Sequence, residues 1–542
     1  MRRTTSALGI LLVCSALAPG ASVLAQERPV LELTLEEAVK RAFENNADIA
    51  VQRYDPDLSR ESLRQEEGYY DPFLSATLYK QKVTDPPRNV FTGGDKVTST
   101  TDTWNFGLVQ PVPTGGQFSL TFNNNKNDTD SVFSTFNPSY GSGLTASLTQ
   151  PLLRDFRIDS QRTQIRLAKK SVEISDAQFR ELVISTLASV KQSYYDLIYA
   201  IDNLDAARKN LDLAKKLLDE NQIRVRVGTM APLDVVTAES EVAGREEGVI
   251  VAENTLHEAE DILKRAIFPE NDPATWALRI EPKDRPSAEP YPVDLGAAVA
   301  KALEQRTDLL VARKNLERAD IQIEFARNQA LPALDLSASY GGAGIGGTGL
   351  VRDPPLGGPV VDTVPGGYGD ALSQVFGADF PTWRIQFSVS YPILNRQAKA
   401  FRAQAEIARR QAEASYRRLE LLVAAEIRSA GRAVETNFKR VASTRAARDL
   451  SAQRLDAEEK KFAAGMTTNF LVTQAQRDLA VAEVNEIRAV ADYSKSVINF
   501  ERSLEAGVSG AGSTLQLLGT GVGGRGSSAA ALGAAAGGAP TP

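Results

Sequence analysis

The chain has 542 residues, 42% hydrophobic and 24% charged, with a formal net charge of −6. That is ample apolar material for a core, and the acidic balance leaves no electrostatic footprint for nucleic acid. One cysteine, Cys14, and one histidine, His257, exclude most zinc, disulfide and thiol or imidazole chemistry, so neither a cofactor nor an enzymatic activity is expected.

Residues 1–25 read as a signal peptide. Arg2 and Arg3 give a positive start, Ala7 to Ala18 is mostly apolar, and Val23 and Ala25 put small residues at the −3 and −1 positions before Gln26. Cys14 lies inside this segment, so the mature chain carries no thiol. Val13 stands where lipid attachment wants a small residue, which argues against a lipoprotein. No mature segment has 18 consecutive apolar residues. Any crossing of a bilayer would therefore be a closed β-barrel.

The mature chain repeats itself. An offset of 260 pairs Leu35 with Leu295, Asp48 with Asp308 and Pro72 with Pro332, and an offset of 237 pairs Gly228 with Gly465 and Ala238 with Ala475. In chain order, residues 26–266 form the first repeat. It begins with a helix over about 34–67. Four alternating segments follow, at about 73–83, 102–112, 117–126 and 141–150. Helices over about 159–226 and 232–266 complete it. A Pro-rich connector, 267–292, cannot be helical throughout.

The second repeat, 293–506, has helices over about 294–328, 396–463 and 469–505, with strands at about 333–341 and 382–391. Gly342 to Pro381 reads as a Gly/Pro-rich loop, and 507–542 as a disordered Gly/Ala-rich tail.

Helix breakers are nearly absent from the longest helices: Leu152 to Val227 has no Gly or Pro, and Ile393 to Ala464 has only Gly431. Val183, Val190, Leu197, Leu204, Leu211, Leu218 and Val225 recur every seven residues. Ile427, Val434, Val441, Leu455 and Phe462 answer them, interrupted by Arg448. A seven-residue period implies left-handed coiled packing. A helix over Asp159–Arg226 is roughly 100 Å long at 1.5 Å per residue.

The strands alternate. Leu74, Ala76 and Leu78 share one face, as do Trp104, Phe106 and Leu108, then Phe118, Leu120 and Phe122, then Leu144, Ala146 and Leu148. Short turns such as Pro113–Gly116 alternate with long connections, the habit of outer-membrane barrels. Two or four strands per repeat cannot close a barrel, so the chain has to oligomerise. Three chains with six strands each give 18 strands. A 12-stranded barrel with the tight-turned hairpin lying outside it is the alternative.

The fold class is an α+β membrane protein with a duplicated helix–strands–long helix–helix repeat. Leu33–Val39, Asn45–Ile49, Gln150–Leu153, Val227–Thr229 with Pro232–Val235, Phe380–Trp383 and Tyr391–Pro392, in this order, resemble the TolC-type outer membrane efflux protein family. The resemblance spans roughly Leu33 to Glu505. It implies a homotrimer, with a β-barrel in outer-membrane lipid continued by a long periplasmic α-helical barrel. It implies a passive exit duct of a tripartite efflux pump or a type I secretion system. The duct docks to a periplasmic adaptor and through it serves a proton-driven or ABC inner-membrane transporter. A coiled-coil or adhesin-like envelope protein without a channel is the alternative.

The two helix breaks form the expected periplasmic tip. Gly228 and Gly465 suit the turns, Pro232 suits a first helical turn, and Asn469 lies near the next helix start. By similarity, adaptor contacts fall at Val227, Gly228, Thr229, Ala464, Gly465 and Met466. Relatives place carboxylates at positions matching Leu471 and Gln474 and a basic residue at Thr467, and none of the three is present. Asp234 does match a family position. It is either one member of a carboxylate ring at the constriction or a helix-start residue satisfying free N–H groups. Arg224 and Arg226 are the candidates to pair with carboxylates and hold the tip closed.

Overall fold

A computed structural model describes residues 29–86, 96–269, 273–355 and 358–507. The expected signal peptide, 1–25, and all of the expected tail beyond Gly507 lie outside the described residues. The elements run β1 (Val30–Leu33), α1 (Leu35–Asn45), α2 (Ala47–Gln52), α3 (Tyr54–Glu67), β2 (Phe73–Asp85), β3 (Val97–Pro111), β4 (Gln117–Thr129), β5 (Phe136–Pro151), α4 (Ser160–Arg226) and α5 (Pro232–Ile267). After the connector's α6 (Pro273–Ala277) and β6 (Arg279–Pro282) come α7 (Leu295–Gln305), α8 (Thr307–Gln329), β7 (Ala333–Arg352), β8 (Val360–Val364), α9 (Tyr368–Gly377), β9 (Pro381–Ser390), α10 (Arg396–Ala463) and α11 (Asn469–Glu505). No helix among the described residues is long and apolar enough to cross a membrane.

The chain divides into two compact units. The first gathers the chain as far as Asn46, Ser193–Ser287 and Arg448–Ala491. The Thr34 side chain caps α1 by accepting from the Glu37 N–H. The fully buried Tyr194 donates its hydroxyl to the Leu33 carbonyl at 2.9 Å. The connector is partly ordered: β6 pairs in parallel with β1, Val30 opposite Arg279. Leu197, Leu204, Leu455 and Phe462, all from the heptad stripes, are buried here.

The second unit holds Ala47–Gln192, Ala288–Ala447 and the chain from Asp492. Its centre is one antiparallel sheet in the order β2-β3-β4-β5-β7, with β9 on the near half of the far β7 edge and β8 on its last residues. Register gives the faces, since directly paired residues point the same way. Leu74, Leu108, Leu120, Ala146, Tyr340 and Trp383 form one row. The next row, on the other face, is Ser75, Gly107, Thr121, Thr145, Gly341 and Thr382. One face is thus apolar and the other lined with hydroxyls and amides. Lys80 and Asp102, paired at 3.1 Å, border the apolar face.

Several expectations are corrected. The helix expected over 34–67 is three helices, and the one over 294–328 is two. Asn46 and Arg306, equivalent under the 260 offset, both adopt extended backbone. Asn46 turns its side chain to the Ala266 carbonyl at 3.1 Å, and Pro56 lacks an N–H to continue a helix through α2 into α3. The Gly342–Pro381 loop is largely structured. It completes a 20-residue β7 and adds β8 and α9. Gly342, Gly344 and Gly346 stand on the apolar face, where a Cβ would press into the backbone of Val375, Ala371 and Gly367. Helix α9 therefore lies on that face. Tyr368 on α9 accepts from Trp104 Nε1 at 3.4 Å and donates to Asn124 at 2.8 Å.

Candidate functional site

All the expected tip residues fall in the first unit, at the ends of α4 and α10. The two breaks are the same structure built twice. At the first, Gly228 has φ +80, its N–H bonds the Val225 carbonyl at 3.0 Å, and the Thr229 N–H reaches back to the Arg224 carbonyl at 2.9 Å. At the second, Gly465 has φ +74, its N–H bonds Phe462 at 3.1 Å, and the Met466 N–H reaches Lys461 at 2.8 Å. These are paired Schellman caps, in which a left-handed glycine lets the chain satisfy the last helical carbonyls and leave. Val227, Gly228, Thr229, Ala464, Gly465 and Met466 are all exposed, Met466 at 78% and Val227 at 69%.

The return helices start by different means. Pro232 opens α5, where a missing N–H costs nothing. Asn469 opens α11 and is buried. Its amide accepts from Asn221 at 3.0 Å and donates to the Asp234 carbonyl at 3.4 Å. Asn469 thus ties α4, α5 and α11 together, a role invisible in the local sequence. Below it, Leu217, Leu455, Phe462, Val472, Ala475 and Leu479 form the core of the tip, with Met230 against them.

Among the described residues of one chain, neither arginine pairs with a carboxylate, the pairing expected of them. Arg224 lies 4.1 Å from the Phe462 ring centroid and donates to the Phe462 carbonyl at 3.1 Å. Arg226 points into solvent. Gln474 donates to Asp478 at 2.8 Å, and Asp234 is half-buried in the first turn of α5. Sequence reasoning missed the ion pair that joins the return helices, Arg477 to Glu241 at 2.5 Å. Burial of Glu241 opposes its ionisation, but Arg477 and Arg245 together hold its carboxyl below the usual range.

A duplicated helical hairpin carried with a strand set that is apolar on one face is the architecture of an outer-membrane duct. The family model for outer membrane efflux proteins matches residues 117–267 and 298–505, well over half of the chain. The chain belongs to that family: it is an outer-membrane efflux channel of the tripartite-pump type, reaching into the periplasm. Over 346 residues it is 23% identical to the outer membrane protein TolC of Vibrio cholerae, covering 62% of this chain and 71% of that protein. Over 345 residues it is 24% identical to TolC of Escherichia coli, covering 63% and 65%. A membrane protein from Pseudomonas aeruginosa shares the fold with a TM-score of 0.62 at 18% identity, over 87% of this chain and 93% of that one.

Proposed function

We propose that three copies of this chain assemble into a passive exit duct whose paired tips dock a periplasmic adaptor, which links the duct to an inner-membrane transporter. The observation that carries the reading is the exposure of two identical turns, Val227-Gly228-Thr229 and Ala464-Gly465-Met466, at the ends of the 67- and 68-residue helices. A helix cap needs the glycine but does not need exposed Val227 and Met466 beside it. Such apolar side chains on a turn are suited to a partner. A trimer would present six turns, alternating between the two repeats. The coiled-coil alternative is not favoured, because it gives the apolar sheet face nothing to meet.

Cysteines placed at Thr229 and Met466 test this, since the chain's one other thiol, Cys14, lies in the expected signal peptide. A short bifunctional reagent should join both positions to the cognate adaptor in intact cells, and the purified protein should be trimeric in detergent. Adaptor adducts confined to mid-helix control positions, or a monomer in detergent, would overturn the reading.

A further inference from the structure

We infer that the tight-turned hairpin β3–β4 is part of the barrel wall, so that three copies close eighteen strands rather than twelve, the β9 edge of each copy pairing with the β2 edge of the next. This rests on the trimer proposed above.

The hairpin cannot lie outside the wall. β3 pairs along the whole of β2, from Phe73↔Val109 to Asp85↔Val97, and β4 in turn joins β3 to β5. Removing it would open two ladders and leave their N–H and C=O groups unpaired in lipid. Its faces also match. Trp104, Phe106 and Leu108 and then Phe118, Leu120 and Phe122 continue the apolar rows of β2 into β5, and Thr121 and Asn105 continue the polar ones. A hairpin outside the wall would have no reason to keep both.

The two free edges are made for each other. β2 and β9 are exposed along nearly their whole length, whereas the inner strands are half-buried. Leu74 and Leu78 on one edge, and Trp383, Ile385, Phe387 and Val389 on the other, are all more than 60% exposed. A long apolar edge left open would aggregate. Direction agrees too. Every pairing between β2 and β9 is antiparallel, and β9 is the sixth strand across, so β9 runs opposite to β2. The seam is therefore antiparallel like the rest.

The register supplies a quantitative check. Along one copy's rows, Trp383 is level with Leu74. Bringing the β9 belt beside the next copy's β2 belt takes a slide of about six to eight residues, which sets Ile385 near Leu78 and Val389 near Leu74. An even slide keeps the apolar face outward. With about 3.3 Å per residue and about 4.8 Å between strands, that slide tilts eighteen strands by roughly 35–43°, the range such barrels adopt. The backbone diameter is then roughly 36 Å, against roughly 24 Å for twelve strands, since diameter grows with strand number. The lumen face of this wall is mostly Ser, Thr, Asn and Gln, with Asp85, Asp335 and Arg384 as charged members of its rows.

The test counts strands and locks the seam. Electron microscopy of the wild-type trimer in detergent should show eighteen strands. Thr77→Cys combined with Gln386→Cys or Ser388→Cys should convert the monomer band on non-reducing gels to one at three times the mass. Thr77→Cys combined with Asn105→Cys should close within one chain, without that mass shift. A trimer with twelve strands, in which Thr77 and Asn105 do not couple, overturns this inference and leaves the duct reading standing. A protein that stays monomeric overturns both.

Discussion

Arg224 covers the ring of Phe462 at 4.1 Å and donates to the same residue's carbonyl at 3.1 Å, so one guanidinium fastens the end of α4 to the end of α10. Phe462 is itself buried in the core of the tip. A stacked cation and one hydrogen bond from a charged donor together contribute about 1–2 kcal/mol at a half-buried site. Arg224→Ala should therefore raise amide exchange at the Thr229 N–H, which bonds the Arg224 carbonyl, by about tenfold. Arg224→Lys should recover only part of the protection, because an ammonium cannot lie flat on the ring. Equal protection in all three proteins would show that the contact carries no load.

Among the described residues, Gly228 and Gly465 are the two positions where a side chain meets empty space but the backbone forbids it. No atom lies within 4 Å of a Cβ built on either, and both have positive φ. Any loss on substitution is thus conformational. Gly228→Ala or Gly465→Ala should destabilise the tip by about 1–2 kcal/mol, and the Asn variants by less. Limited proteolysis between α4 and α5, or between α10 and α11, reads this directly. Similar cleavage rates in the wild type and both Ala variants would contradict the assignment of strain to these glycines.

How legible these features were depends on whether the signal was local. The bounds of α10 and α11 could be read to the residue, because Gly431 is the single breaker inside them and Gly465 stands between. The breaks at Asn46 and Arg306 could not. Each is a residue without Gly or Pro character, and distant partners stabilise its extended backbone. For Asn46 that partner is the Ala266 carbonyl. For Arg306 they are Glu426 and the Ser503 carbonyl. Helix α9 was hidden for the opposite reason. Glycines at 342, 344 and 346 look like loop residues, yet they are strand positions kept small so that a helix can lie on them. The tip turns were visible as glycines, but the buried Asn221–Asn469 tie was not, because nothing in either segment points to the other.

Arg306 is 2% exposed and donates from two nitrogens to Asp308 at 3.1 and 2.7 Å and from the third to Glu426 at 2.8 Å. Removing it leaves buried carboxylates uncompensated, so Arg306→Ala should cost about 3–5 kcal/mol in urea unfolding of the second unit. Glu181 faces the same cluster. Burial pushes its carboxyl up, Asp308 adds to that, and Arg306, Thr307 and Arg502 oppose it, with a net rise. The folded chain therefore holds this proton more tightly than the unfolded chain. Stability is fullest below the ordinary glutamate range and declines as pH rises through that range towards the raised value. Glu181→Gln should melt above the wild type at about pH 7 and converge with it near about pH 4. A melting difference that does not change with pH would remove Glu181 as the cause.

Asp234 separates two roles that its position in the first turn of α5 leaves entangled. As a helix-start carboxylate it interacts with the α5 dipole, which contributes about 0.3–1 kcal/mol and nothing to conduction. As one of three around a narrow axis it would draw cations and repel anions. Asp234→Asn keeps the shape and removes the charge. Under a salt gradient in planar bilayers, the ring role predicts a reversal potential shifted toward zero, with melting lowered by no more than about 3 °C. The helix-start role alone predicts the small melting change with an unmoved reversal potential.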